Sequence, residues 1–326
     1  MAADPLRGRD AERQDRSFVV CVVGPTAAGK TDVAVELVAR FPCEIVSVDS
    51  AMVYRHMDIG TAKPRSDVLA VAPHHLIDIR DPWESYSAGE FCVDARALID
   101  AIHDRGRIPL LVGGTFLYFH ALQFGLARLP TADAALRAEI DERAEREGWP
   151  ALHRELAALD PQSAERIRPN DRQRLQRALE VVMLTGEPLS ELQKRGGDAP
   201  DCEFLRVALA PSDRTALHAR IEARLDAMVE AGFIDEVERL MAMPQMNDSC
   251  PAMRAVGYRQ VWSHLAGEMT LDEALRQAVV ATRRLAKRQL TWMRSGPEAL
   301  EFDCLRAGVA DDVAAAIAPR IGAVRA

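Results

Sequence analysis

Gly24-Pro25-Thr26-Ala27-Ala28-Gly29-Lys30-Thr31 follows the apolar run Phe18-Val19-Val20-Cys21-Val22-Val23 and leads into a helix-like stretch over residues 32–40. This is G-x-x-x-x-G-K-[ST] in a strand–loop–helix setting, and the setting separates a phosphate loop from a chance match. The glycines let backbone N–H groups close around a phosphate. The helix N-terminus adds partial positive charge, Lys30 adds a full one, and the Thr31 hydroxyl can hold Mg²⁺. The loop calls for a ligand with at least two linked phosphates and leaves open whether that ligand is a nucleotide.

Around this loop the chain alternates strands and helices. Cys43-Glu44-Ile45-Val46-Ser47-Val48 predicts a second buried strand that ends at Asp49-Ser50, and His74-His75-Leu76-Ile77-Asp78-Ile79 a shorter one. A helix over residues 87–105 precedes Ile108-Pro109-Leu110-Leu111-Val112 and the turn Gly113-Gly114-Thr115, and residues 204–209 add a further strand. The alternation predicts an α/β fold of the P-loop NTPase-like kind, a mainly parallel sheet flanked by helices. Residues 130–200 are rich in Ala, Arg and Glu, helical in period and free of strand signals, which predicts a helical insertion in a core made of residues 17–129 and 201–326. From residue 213 to the end the chain reads as helical, the last twenty residues as an alanine-rich helix.

With 326 residues the chain is long enough for a buried core and an insertion. Residues 1–16 mix Arg with Asp and Glu without an apolar stretch, and read as a disordered leader rather than a targeting peptide. No apolar run reaches the length of a membrane span, and the six scattered cysteines form no C-x-x-C pair. Both point to a cytoplasmic protein with reduced thiols and no zinc site. A net charge of −8 argues mildly against nucleic acid, but it averages over two basic segments, one at Arg166, Arg168, Arg172, Arg174 and Arg177, the other at Arg283, Arg284, Lys287, Arg288 and Arg294.

Asp49, at the end of an apolar strand beside a phosphate loop, has three readings: a Mg²⁺ ligand, a general base, or a cap for the segment that follows. Thr115 either brings a hydroxyl to the same sheet edge or caps the next helix. Arg220 and Arg224 lie one helical turn apart and either serve a phosphate or face solvent. Near the C-terminus, Arg283, Lys287 and Arg294 fall within about 40° on a helical wheel, with Arg284, Arg288 and Thr291 adjoining. Leu285, Ala286, Trp292 and Met293 fall mostly opposite. No acidic residue in 282–294 balances the cationic face, which favours contact with a phosphate backbone over a solvated surface. In Asn170-Asp171-Arg172-Gln173-Arg174-Leu175-Gln176-Arg177, Asn170 is a candidate N-cap. Gln173 and Arg177 share a face able to bond bases and phosphates.

Together these segments closely resemble the bacterial tRNA dimethylallyltransferases, which prenylate adenosine 37 beside the anticodon. The resemblance rests on Gly24 to Thr31, Val48-Asp49-Ser50-Ala51, Met57-Asp58-Ile59-Gly60-Thr61-Ala62-Lys63-Pro64 and Pro73-His74-His75-Leu76-Ile77-Asp78. It continues through Gly113-Gly114-Thr115, Arg254-Ala255-Val256-Gly257-Tyr258-Arg259-Gln260 and Lys287-Arg288-Gln289-Leu290-Thr291-Trp292, and spans about residues 18–295. Ala28 stands where many relatives carry Ser.

The resemblance implies that the loop holds the diphosphate of dimethylallyl diphosphate, with Lys30, Thr31, Thr115, Arg220 and Mg²⁺ stabilising the departing oxyanions. It makes Asp49 the base that accepts the adenine N6 proton. It implies that the base leaves the anticodon-loop stack for a tunnel lined by Ser50, Ala51 and Met52. Asp49, Thr115, Arg137, Gln173, Arg174, Leu175, Gln176, Arg177 and the segment Arg254, Ala255, Val256, Gly257, Tyr258, Arg259 would grip the anticodon stem-loop, helped by Lys287, Arg288, Gln289, Leu290, Thr291, Trp292, Met293 and Arg294. A monomer is expected on the same ground. The alternatives are a P-loop kinase or NTPase, for which the basic segments have no use, and a prenyltransferase acting on a free adenine nucleotide, for which the insertion is superfluous.

Overall fold

The computed structural model describes residues 17–324; the leader expected over residues 1–16 lies outside them. Among the described residues six strands form one parallel sheet: β1 (Ser17–Val23), β2 (Cys43–Val48), β3 (His74–His75), β4 (Ile108–Gly113), β5 (Cys202–Ala210) and β6 (Leu300–Asp303), in the order β3-β2-β4-β1-β5-β6. The α/β class predicted above is the fold observed. Residues 18–23 of β1 are at most 2% exposed. That follows from a strand paired on both sides and covered on both faces, where an unbroken apolar run replaces alternation.

Helices α1 (Lys30–Arg40), α2 (Ser66–Val71), α3 (Ala88–Asp104) and α4 (Phe116–Phe124) follow strands β1 to β4. Ser87 caps α3 in a reciprocal capping box with Glu90. One compact unit runs up to His120 and resumes at Asp201; the other is Ala121–Pro200, which starts before the change of composition at residue 130. The second unit contains α5 (Ala134–Glu147), α6 (Trp149–Leu159), α7 (Pro161–Arg166), α8 (Arg172–Thr185) and α9 (Leu189–Lys194), closed over a core that includes Ile140, Leu152, Leu156, Leu175 and Leu179. Asp171, not Asn170, caps α8, accepting the Arg174 N–H at 3.3 Å. The first unit is completed by α10 (Arg214–Glu230), α11 (Phe233–Met241), α12 (Tyr258–Leu265), α13 (Leu271–Ser295) and α14 (Val309–Val324).

Two strands differ from expectation. β3 stops at His75 because Leu76 and Asp78 take positive φ angles of 61° and 54°, which a pleated strand cannot accommodate. Asp78 is thereby turned to meet Lys63 at 2.6 Å. β6 lies in a region read as helical throughout; its apolar–polar alternation, with Leu300 and Glu301 exposed and Phe302 and Asp303 half-buried, is only four residues long, and pairing with β5 makes it a strand.

Candidate active site

Parallel strands deliver their C-terminal ends to one edge of the sheet. Val23 of β1 and Val48 of β2 are both in register with Gly113 of β4. Gly24, Asp49 and Gly114 therefore leave the sheet side by side, where ligands collect in open α/β sheets. The phosphate loop occupies the first of these exits. Gly29, with φ 73°, immediately precedes the first residue of α1, and that left-handed conformation favours a residue without a Cβ.

Lys30 Nζ donates to the Pro25 carbonyl at 2.8 Å. Burial lowers the Lys30 pKa to about 8, Asp49 acting against the shift and Arg224 adding to it. Burial likewise holds the Arg224 guanidinium below its ordinary value, opposed by Asp49 and Asp32. Two desolvated cations and one carboxylate thus share the site. Arg224 makes no hydrogen bond or ion pair among the described residues, so its donors are available to an anion. Arg220, the arginine singled out by resemblance, donates instead to the Cys304 carbonyl at 3.0 Å. Only the spacing to Arg220 marked Arg224 in the sequence.

Asp49 Oδ1 accepts the N–H groups of Ala51 at 2.8 Å and Met52 at 3.2 Å. The capping role is therefore present. It uses one carboxylate oxygen and leaves Oδ2 without a hydrogen bond among the described residues, free to take a proton or meet a cation. Thr115 Oγ1 accepts the Ser50 N–H at 3.1 Å and lies 3.4 Å from the Ser50 hydroxyl. The turn after β4 is thereby fastened to the turn after β2.

The segment after Asp49 is held from below. Lys63, with a side chain only 4% exposed, meets Asp58 and Asp78 at 2.6 Å each and donates to the Tyr54 carbonyl at 2.9 Å. Buried Glu236 accepts the N–H groups of Asp58, Ile59 and Gly60 at 2.9, 2.8 and 3.1 Å and the Tyr258 hydroxyl at 2.5 Å. In the sequence Glu236 stands beside Asp235 and Glu238, and nothing there marks it as the buried one.

The residues expected to meet RNA divide into two groups. Arg254, Arg259, Lys287, Arg288, Thr291, Trp292 and Arg294 are exposed, and Ala255, Val256 and Met293 half-buried. Tyr258, Gln289 and Leu290 are buried, and Gly257 sits beside Phe233. The inward seam of α13 runs through Ala286, Gln289, Leu290 and Met293, against Leu217 and Ile221 of α10. Trp292 lies off this seam, 43% exposed and edge-on to His120 at 5.9 Å, so it does not pack inward as the wheel suggested. Arg283 is not unbalanced either: Glu222 of α10 pairs with it at 2.5 Å.

In the helical unit, Gln173 and Arg174 are exposed, while Leu175 is in the core. Arg137 and Arg177 both bond the buried carboxylate of Glu180, at 2.8 and 2.6 Å, and Gln176 bonds Asp141 at 2.8 Å. These interactions turn Arg177 away from the face it was expected to share with Gln173.

A parallel α/β sheet with a phosphate-loop motif at its edge, and a carboxylate beside two buried cations, defines the class as a P-loop protein. The chain matches the family described as IPP transferase over residues 52–296. It is 57% identical over 304 residues to the tRNA dimethylallyltransferase of Thiobacillus denitrificans, covering 93% of this chain and 97% of that one. The tRNA isopentenylpyrophosphate transferase of Bacillus halodurans has a similar structure, with a TM-score of 0.68, 37% identity and coverage of 95% and 98%. A eukaryotic dimethylallyltransferase acting on tRNA aligns with a TM-score of 0.76 and 25% identity over 93% of this chain and 78% of that one. The chain belongs to the IPP transferase family.

Proposed function

We propose that this transferase moves the dimethylallyl group of dimethylallyl diphosphate to N6 of adenosine 37 in tRNA, releasing diphosphate. The observation that carries the reading is the shared site of Lys30, Arg224 and Asp49, in which an anion-binding loop lies beside a carboxylate with an open oxygen. As the allylic carbon–oxygen bond breaks, negative charge builds on the diphosphate. The loop N–H groups, Lys30, Arg224 and Thr115 supply fixed positive charge and donors for it. Adenine N6 is a weak nucleophile, its lone pair being delocalised into the ring. As its bond to carbon forms, Asp49 Oδ2 accepts the proton it sheds.

Mg²⁺ fits this site through oxygen donors. The Thr31 hydroxyl has no hydrogen bond among the described residues, and no group of three His, Cys, Asp or Glu residues there could hold a metal without the ligand's help. That suits an ion that keeps waters and takes the rest of its ligands from phosphates. When bound, Mg²⁺ would neutralise charge on the leaving diphosphate, held by Thr31.

The exposed cations Lys287, Arg288 and Arg294 on α13, with Arg254 before α12 and Arg259 in its first turn, supply a basic surface for the anticodon stem-loop. Gln173 and Arg174 supply polar groups on the helical unit. Among the described residues no helix is long and apolar enough to cross a membrane; a cytoplasmic setting goes with a tRNA substrate, and the proposal of a monomer rests on the family resemblance alone. Label from dimethylallyl diphosphate should enter unmodified tRNA and not AMP, with no release of phosphate from ATP. Label in AMP, or ATP hydrolysis without transfer, would overturn the assignment.

A further inference from the structure

Gln289 follows two exposed cations, Lys287 and Arg288, and precedes the exposed Thr291 by two positions, yet it is only 9% exposed. Successive helical residues point about 100° apart, so a continuous tract on a helix cannot all face one ligand. Both ends of the Gln289 amide are used at the sheet edge. Oε1 accepts the Thr26 N–H at 2.9 Å, and Nε2 donates to the Gly114 carbonyl at 2.9 Å.

The Thr26 N–H and the Pro25 C=O belong to one peptide group, and a peptide group is planar. Lys30 Nζ donates to that same carbonyl at 2.8 Å. One plane is thus held at its N–H end by Gln289 and at its C=O end by the lysine of the phosphate loop. Apolar packing supports the joint, since Ala27 lies against the cluster of Leu217, Ile221, Ala286 and Leu290. Gly114 leaves room for it: a Cβ there would come within 2.4 Å of Gln289 Nε2.

We propose that Gln289 is a positioning residue for the diphosphate. By fixing the Pro25–Thr26 peptide it sets the place from which the Lys30 amine meets the ligand, and it ties the Gly113-Gly114-Thr115 turn to the same helix. Its neighbours Lys287 and Arg288 keep their outward role, while Gln289 leaves the RNA-binding set implied by resemblance. The inference rests on reading the loop as the diphosphate site.

The test compares the binding of inorganic diphosphate and of an anticodon stem-loop RNA by wild type, Gln289→Met, Gly114→Ala and the double variant. Methionine keeps the length and helix propensity of glutamine but has no amide. Gly114→Ala displaces the amide from the other side. Each single variant should lose about tenfold in diphosphate affinity, the scale of one or two hydrogen bonds. The double variant should lose no more than either single one. RNA affinity should stay within about twofold, a split that a general packing defect would not produce. Loss of RNA affinity with diphosphate binding unchanged would overturn the inference and return Gln289 to the RNA surface. Equal losses of both with a lowered unfolding midpoint would overturn it in favour of a packing role. A wild-type protein that binds no diphosphate would overturn the reading of the loop itself, an outcome distinct from the other two.

Discussion

Lys30 donates its ammonium to the carbonyl of Pro25 at 2.8 Å, five residues back in its own loop. The hydrogen bond holds the amine in place before an anion arrives, and burial sets its pKa at about 8. A bound diphosphate stabilises the ammonium form and raises that value. The sign follows. Below about pH 8 the lysine is already charged and binding takes up no proton there. Above it, binding takes up a proton and affinity falls as pH rises. Calorimetry with dimethylallyl diphosphate near pH ~8.5, in buffers of different ionisation enthalpy, should show net proton uptake, since a diphosphate monoester with a last ionisation at about 6 is fully ionised there. No uptake, with affinity flat across that range, would contradict the placing of Lys30.

Asp49→Asn preserves the oxygen that accepts the Ala51 and Met52 N–H groups and removes the basic one. Transfer should fall by about 10²–10⁴, the range for a lost general base, while RNA affinity and the unfolding midpoint hold. A variant with more than about a tenth of wild-type turnover would rule out the base role.

Lys287→Glu with Arg288→Glu places negative charge on an exposed helix face. RNA binding should weaken, and the slope of log affinity against log salt should become shallower by about 0.7–0.9 for each phosphate that the helix no longer neutralises. An unchanged slope would remove α13 from the RNA surface. Diphosphate affinity serves as the internal control.

Glu236→Ala would strand the N–H groups of Asp58, Ile59 and Gly60 and the Tyr258 hydroxyl, four donors to one buried carboxylate. With about 1–3 kcal/mol for each buried group left unsatisfied, and losses that do not add fully, stability should drop by at least about 3 kcal/mol. Tyr258→Phe, which removes one donor, should cost about 1 kcal/mol. Urea unfolding measures both. A loss below about 1 kcal/mol for Glu236→Ala would mean that the 57–60 segment does not depend on this anchor.

The phosphate loop, β2 and β4 were legible because each is an apolar run with its own punctuation: Gly24 and Gly29, then Asp49, then Gly113-Gly114. The same signals marked the exits of Lys30, Asp49 and Thr115. β6 was missed because its alternation, Leu300-Glu301-Phe302-Asp303, has the shortest length at which that pattern marks a strand, and pairing with β5 completes it. Orientation was the other gap. A helical wheel separated the cations of α13 from its apolar residues but could not show that the buried seam includes Gln289 and omits Trp292, because the position of the seam depends on Leu217, Ile221 and Ala27 across the interface. Nor could it pair Arg283 with Glu222, a residue 61 positions earlier. Buried carboxylates were the hardest to read: Glu180 and Glu236 look like surface acids until their partners Arg137, Arg177 and Tyr258 are placed around them.

The most direct test of the central claim is transfer from labelled dimethylallyl diphosphate to two anticodon stem-loops that differ in one atom group: adenosine at position 37, or inosine, which has no N6 amine. Label should enter the first alone and be recovered as a prenylated adenosine after digestion to nucleosides. Label in both would place the new bond elsewhere on the RNA and contradict the pairing of Asp49 with N6.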